Sequence, residues 1–205
     1  MRFLLAAAAL LPLAACASMA PKGIVTHQTR DWRQVITAAD RERLRDWRGA
    51  WLDGLRQATA GGYGRRVAAE GALLQPDAAL PSGAIPNGDY RCRVIKLGAR
   101  SEGLLPFIAY PAFACRVKPE RDLQGFAKLS GSQRQVGVIF PNDQLRQVFL
   151  GTLVLGDEAR AMQYGGDPER DLAGFVERIG PDRWRLVLPR PRFESQIDVL
   201  ELVPA

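Results

Sequence analysis

A chain of 205 residues, 47% hydrophobic and 24% charged, has the make-up of a folded globular protein, which excludes disorder beyond a short tether. Its net charge of +6 comes from 24 arginines and four lysines (Lys22, Lys96, Lys118, Lys128), scattered along the chain without a run. That spread argues against a nucleic-acid partner, and an odd count of three cysteines asks for a use beyond simple pairing.

Arg2, a charge-free apolar run from Phe3 to Leu13 and small residues after it read as a secretory signal peptide over residues 1–15. The run falls short of the roughly 20 apolar residues a spanning helix needs. Leu13-Ala14-Ala15-Cys16 resembles the lipobox of bacterial lipoproteins, which implies cleavage before Cys16, acylation of its sulfur and a membrane anchor through that lipid. The cut would leave 190 residues and, with Arg2 gone, a charge of +5. Ala17, with no Asp after the cysteine, resembles an outer-membrane sorting signal, so the expected location is the cell envelope with the domain in the periplasm. Residues 16–30 are small, polar and unpatterned, an expected flexible tether.

A helical hairpin is expected over 31–75. Thr37 with Asp40 three residues later is a capping-box pattern. Leu44, Trp47, Trp51, Leu55 and Ala58 then recur at helical spacing as one apolar stripe. Gly61-Gly62 ends that helix, and a shorter antiparallel one is predicted from Tyr63 to Leu74, stopped by Pro76. Residues 76–88, with Pro76, Pro81, Gly83, Pro86 and Gly88, form a linker. Residues 89–205 break into short Val, Ile, Leu and Phe runs predicted as strands at 89–98, 107–118, 124–130, 134–140, 145–155, 172–179, 183–189 and 196–203. The fold class is therefore α+β: the hairpin packed on an antiparallel, lipocalin-like β-barrel or strongly curved sheet of about eight strands. Gly137 and Gly151 fall inside strands, where a bulge or barrel bend is expected.

With a turn in the Ser101–Leu104 region and a register in which opposed residue numbers sum to 207, Cys92 sits across from Cys115. Tyr90 then faces Val117 and Val94 faces Phe113, while Arg91 and Arg93 lie on the other, basic face with Arg116. A Cys92–Cys115 disulfide is thus expected, and with Cys16 lipidated it completes the use of all three thiols.

Catalytic signatures are sparse. The sole histidine, His27, sits in the expected tether, which removes histidine triads and histidine-built zinc sites; no phosphate-cradling or dinucleotide-binding glycine motif occurs. We therefore assign no catalytic residue, no metal ligand and no cofactor. Asp157-Glu158 and Asp167–Asp171 make an acidic stretch without the alternation of a calcium loop. Glu194 and Asp198 could serve as paired carboxylates of a hydrolase acting on envelope glycans. Arg185, Arg190 and Arg192, added to Arg91, Arg93 and Arg116, could form an anion-binding surface, or be ordinary solvent-facing strand positions. Trp47, Trp51, Trp32 and Trp184 are read as packing aromatics rather than a ligand cleft.

Five blocks, Asp31-Trp32-Arg33, Gly88-Asp89-Tyr90-Arg91-Cys92-Arg93-Val94-Ile95-Lys96-Leu97-Gly98, Leu129-Ser130-Gly131-Ser132-Gln133-Arg134, Phe149-Leu150-Gly151-Thr152 and Trp184-Arg185-Leu186-Val187-Leu188-Pro189, resemble an uncharacterised bacterial family, domain of unknown function 4893. The likeness runs from about Asp31 to Pro204 and implies an envelope lipoprotein without assigning any site residue. The leading expectation is a non-enzymatic module binding a small apolar or anionic ligand, or another envelope protein, with an inhibitor or assembly factor and a glycan hydrolase as alternatives. An apolar barrel pocket of about several hundred Å³ would favour a ligand, and facing carboxylates in a cleft a hydrolase.

Overall fold

The computed structural model describes residues 24–25 and 29–205; the expected signal peptide, the expected lipidation site at Cys16 and His27 lie outside them. Eight strands follow in order: β1 (Gly88–Ala99), β2 (Phe107–Glu120), β3 (Leu123–Lys128), β4 (Gln133–Phe140), β5 (Gln147–Leu155), β6 (Asp171–Gly180), β7 (Arg183–Pro189) and β8 (Ser195–Pro204). Each pairs antiparallel with its sequence neighbour, and β8 pairs back on β1, so the sheet closes into a barrel without a free edge. Every strand lies within two residues of its predicted span, because alternating apolar side chains and turn residues mark both ends.

Inward-facing side chains from all eight strands, among them Tyr90, Phe126, Phe149 and Trp184, fill the barrel. Tyr90 meets Trp184 edge to face at 6.2 Å, and its hydroxyl donates to the Pro86 carbonyl at 2.7 Å. Ile85 joins that cluster, so the expected linker plugs the end of the barrel at which β1 begins. Gly137 and Gly151 pair directly across β4 and β5, so of the bulge or barrel bend expected there the bulge is absent. A Cβ on either would come within 2.7 Å of the Phe149 ring, so both are small to seat that ring against the wall. The register shifts fall elsewhere, at Arg93/Ile95 and Arg178/Gly180.

The β1–β2 register also differs from the one expected. Tyr90 pairs with Cys115 and Cys92 with Phe113, so opposed numbers sum to 205, a slip of two residues. An even slip leaves every side chain on its face, and the inward cysteines become diagonal neighbours. The Cys92–Cys115 disulfide forms across that diagonal, with Cα atoms 5.9 Å apart. Its loop of 23 residues contributes on the order of 3 kcal/mol in the chain-entropy account.

On the outside, helices α1 (Ala38–Arg45), α2 (Trp47–Ala58) and α3 (Gly64–Ala69) cover one flank. Thr37 caps α1 by accepting from the Asp40 amide at 3.2 Å. Asp40 is itself fully buried, accepting the Tyr164 hydroxyl at 2.6 Å and pairing with Arg43 at 2.9 Å. Burial and Asp40 together push the Tyr164 phenol far above its ordinary value. The chain reverses at Gly62, whose φ of 86° suits glycine, and returns through α3 and a 3₁₀ turn at Gly71–Leu74. Trp51 Nε1 donates to the Leu74 carbonyl at 3.1 Å, tying the returning arm to α2. The Trp47 and Trp51 stripe packs on the barrel wall as expected, with Trp51 fully buried among Ile95, Val187 and Val199.

Arg185 fastens this layer. Its buried guanidinium donates to the carbonyls of Ala72, Leu73, Gln75 and Pro76 at 2.7–3.1 Å and pairs with buried Glu177 at 2.6 Å. Ile24 and Val25, inside the expected tether, are packed on the outer wall instead, with the Tyr164 amide donating to the Ile24 carbonyl at 2.8 Å.

Candidate functional site

At the other end of the barrel, where the β1–β2, β3–β4, β5–β6 and β7–β8 loops gather, the inward positions change from apolar to polar. On β1 the inward series Tyr90, Cys92, Val94 ends in Lys96; on β3 Phe126 is followed by Lys128; on β4 Ile139 and Gly137 give way to Gln135; on β8 Leu202 and Leu200 give way to Asp198. Lys96, Lys128, Gln135 and Asp198 are each 5% exposed or less. Burying so many polar groups in a barrel that side chains could fill is costly, and such departures from a consistent core gather at functional sites.

The two lysines differ in their partners. Lys96 Nζ lies 2.9 Å from Glu194 Oε2, 3.3 Å from Asp198 Oδ2 and 3.1 Å from Gln133 Oε1. Burial opposes its charge, yet Asp198 and Glu194 outweigh that and hold its pKa above the ordinary lysine value. Ser195 donates its hydroxyl to the second Asp198 oxygen. Glu194 reaches Lys96 from a backbone with φ of 69°, a left-handed conformation unusual for a side chain of its size.

Lys128 has no carboxylate partner among the described residues. Its ammonium donates to the carbonyls of Ser130 at 2.7 Å and Gln133 at 2.8 Å, and lies 3.7 Å above the Phe113 ring centre. The tight β3–β4 loop that cups it needs Gly131: φ there is 89°, and a Cβ would sit 2.7 Å from Lys128 Nζ. Burial first, then the charges of Arg134 and Lys96, push the Lys128 pKa down to about 8. Beside it the Gln135 side-chain oxygen is buried without a hydrogen-bond partner among the described residues. These groups line a cavity of about 110 Å³ whose apolar wall is Val94, Tyr110 and Phe113.

A larger concavity, about 350 Å³, lies outside the barrel against β2–β4 and the docked Ile24. Its charged rim consists of surface pairs, Arg116 with Asp89 and Lys118 with Glu120, and among the described residues no buried polar group lines it. Inside the barrel, Phe126, Phe149 and Trp184 pack into the space that a ligand pocket of several hundred Å³ would need.

The six candidate anion-binding arginines do not converge. Arg93 pairs with Glu70 and Glu201, Arg116 with Asp89, Arg190 with Asp46 and Asp53, Arg192 with Glu169, and Arg185 is the buried fastener. Arg91 is exposed and, among the described residues, alone of the six without an ion pair. Glu194 and Asp198 do meet, but on the single Lys96 ammonium rather than across an open cleft. In the acidic stretch Glu158 pairs with Arg170 at 2.9 Å. Buried Asp171 has its pKa pushed up to about 6 by burial and by Asp40, against the Gly165 amide that donates to it.

Sequence reasoning passed over Lys96, Lys128 and Gln135. The missed signal was the strand alternation itself, which puts Lys96 on the face of Tyr90, Cys92 and Val94.

No curated protein and no solved structure matches the chain. The sequence of residues 32–202, from the first helical turn into the last strand, matches the model of a domain of unknown function, and the chain belongs to that family, DUF4893.

Proposed function

We propose that this chain is a cell-envelope lipoprotein acting as a non-enzymatic binding module, and that the barrel mouth binds the anionic group of a small ligand between Lys128 and Gln135. The observation that carries the reading is a buried ammonium, lacking any carboxylate partner, at the edge of a cavity. An anion there would gain a charge-assisted hydrogen bond in a low-dielectric setting, where such bonds are strongest. The Gln135 side-chain oxygen has no hydrogen-bond partner among the described residues, so the amide is not held in place and can turn its N–H groups toward the same anion. Val94, Tyr110 and Phe113 would receive the apolar part of the ligand. The envelope assignment is supported by Leu13-Ala14-Ala15-Cys16 and accords with a disulfide, which persists in oxidising compartments.

Titration of the protein with acetate and with inorganic phosphate, followed by NMR and calorimetry, tests the site. Binding is expected in the wild type and is lost in Lys128→Met; equal affinity in both proteins would refute the reading. For the location, wild-type protein should take up labelled palmitate and fractionate with membranes, while Cys16→Ser should appear in the soluble periplasm.

A further inference from the structure

Lys128 differs from the other described lysines in a way that reaches beyond anion binding. Lys96 is engaged by two carboxylates, and Lys118 stands on the outer wall with a 62% exposed side chain. Lys128 alone combines burial, a lining position in a cavity and the absence of an anionic partner. Its nitrogen is held on one side by two carbonyl acceptors and on another by the Phe113 ring. We infer that the Lys128 amine condenses with a small carbonyl compound carrying a carboxylate, such as an aldehyde acid or 2-oxo acid, to form an imine at the barrel mouth. This inference rests on the anion site proposed above and names the ligand class for it.

The surroundings favour the neutral amine that such chemistry requires. Burial, Arg134 and the neighbouring Lys96 all disfavour the charged form, the two means by which proteins activate a lysine nucleophile. A cavity of about 110 Å³ is smaller than the roughly 150 Å³ that accommodates benzene, so it suits a compound of a few carbons. The carboxylate would be received by the Gln135 amide, whose oxygen has no hydrogen-bond partner among the described residues.

In the step itself the amine lone pair attacks the carbonyl carbon and one N–H proton passes to the oxygen, giving a carbinolamine. The C–O bond then breaks, and the oxygen leaves as water with both hydrogens that the amine supplied. The C=N bond replaces C=O with no change of oxidation state. Protonated, the imine keeps one N–H, enough for one of the two carbonyls that now hold the ammonium.

Glyoxylate with cyanoborohydride, a reductant that traps imines, provides the test on the intact chain at pH 7, followed by peptide mapping. Carboxymethylation is expected at Lys128 at least about tenfold faster than at Lys118, since a drop of more than two pKa units raises the neutral fraction over a hundredfold. Excess acetate should slow it, Lys128→Arg should abolish it, and Lys118→Arg should leave it unchanged. Adducts spread evenly over the lysines, or none at Lys128, would overturn the inference. Acetate binding without a trapped adduct would remove the imine and leave the anion site standing; failure of both would remove the two together.

Discussion

Replacing Lys128 by Met should make the protein more stable, and the sign of that change separates a functional lysine from a structural clip. Methionine keeps the length and volume of the stem and removes the ammonium. The pKa of Lys128 falls from 10.5 to about 8, so its charged form is penalised on folding. At about 1.4 kcal/mol per unit that penalty has a ceiling of about 3 kcal/mol at neutral pH. Against it stand the lost hydrogen bonds to the Ser130 and Gln133 carbonyls, which are only part-buried and open to water, worth about 0.5–1.5 kcal/mol each. The net gain expected at pH 7 is on the order of 1 kcal/mol, a midpoint rise of about 2–4 °C for a domain of this size. The wild-type deficit also has a pH signature. Between about pH 8 and 10.5 the unfolded lysine holds its proton while the folded one has lost it, so wild-type stability climbs with pH in that window. Lys128→Met lacks the climb, so the wild type, about 1 kcal/mol behind at pH 7, should overtake the mutant within that window. A loss of more than about 1 kcal/mol in the mutant at pH 7 would refute the reasoning and make Lys128 a loop fastener. A residue whose removal stabilises the fold is retained for something other than the fold.

Lys96 should behave oppositely. Lys96→Met strands buried Asp198 with Glu194 beside it and is expected to cost about 3–5 kcal/mol in urea unfolding, with Lys96→Met/Asp198→Asn recovering part of the loss. Arg185→Met removes the donor shared by four carbonyls of the returning arm, and a similar loss of about 3–5 kcal/mol is expected, while Glu177 keeps its Arg146 partner at 2.6 Å. A loss below about 1 kcal/mol would show that the arm is held by its apolar contacts alone. Asp171, with its pKa raised from 3.8 to about 6, binds its proton more tightly folded than unfolded. Stability should therefore fall as pH rises from about 4 to 6, and Asp171→Asn should flatten that part of the pH profile; an unchanged slope would contradict the assignment.

Much of the architecture was legible because strand alternation and turn residues are local signals. The eight strands could be placed to within two residues, and so could the pairing of Cys92 with Cys115, since an even slip of register leaves facing unchanged. The slip itself was not legible, for it is set by the β1–β2 loop and the shift at Arg93/Ile95, where several registers satisfy the same apolar pattern. The role of Gly137 and Gly151 was likewise hidden, because it depends on where the Phe149 ring lies across two strands. The arginines illustrate the same division. Arg185 and Arg116 share a residue type and a strand setting, yet one is sealed beneath the helical layer and the other exposed.

Composition and local periodicity, then, were sufficient by themselves for fold class, strand number, the thiol pair and the lipobox-like start, because each depends on residues close in the chain or on a two-residue repeat. Barrel closure and the unequal fates of Lys96 and Lys128 required the tertiary structure. Which cation meets a carboxylate is decided by strands brought together across more than 100 residues, as when Asp198 reaches Lys96, and no local pattern encodes that distance.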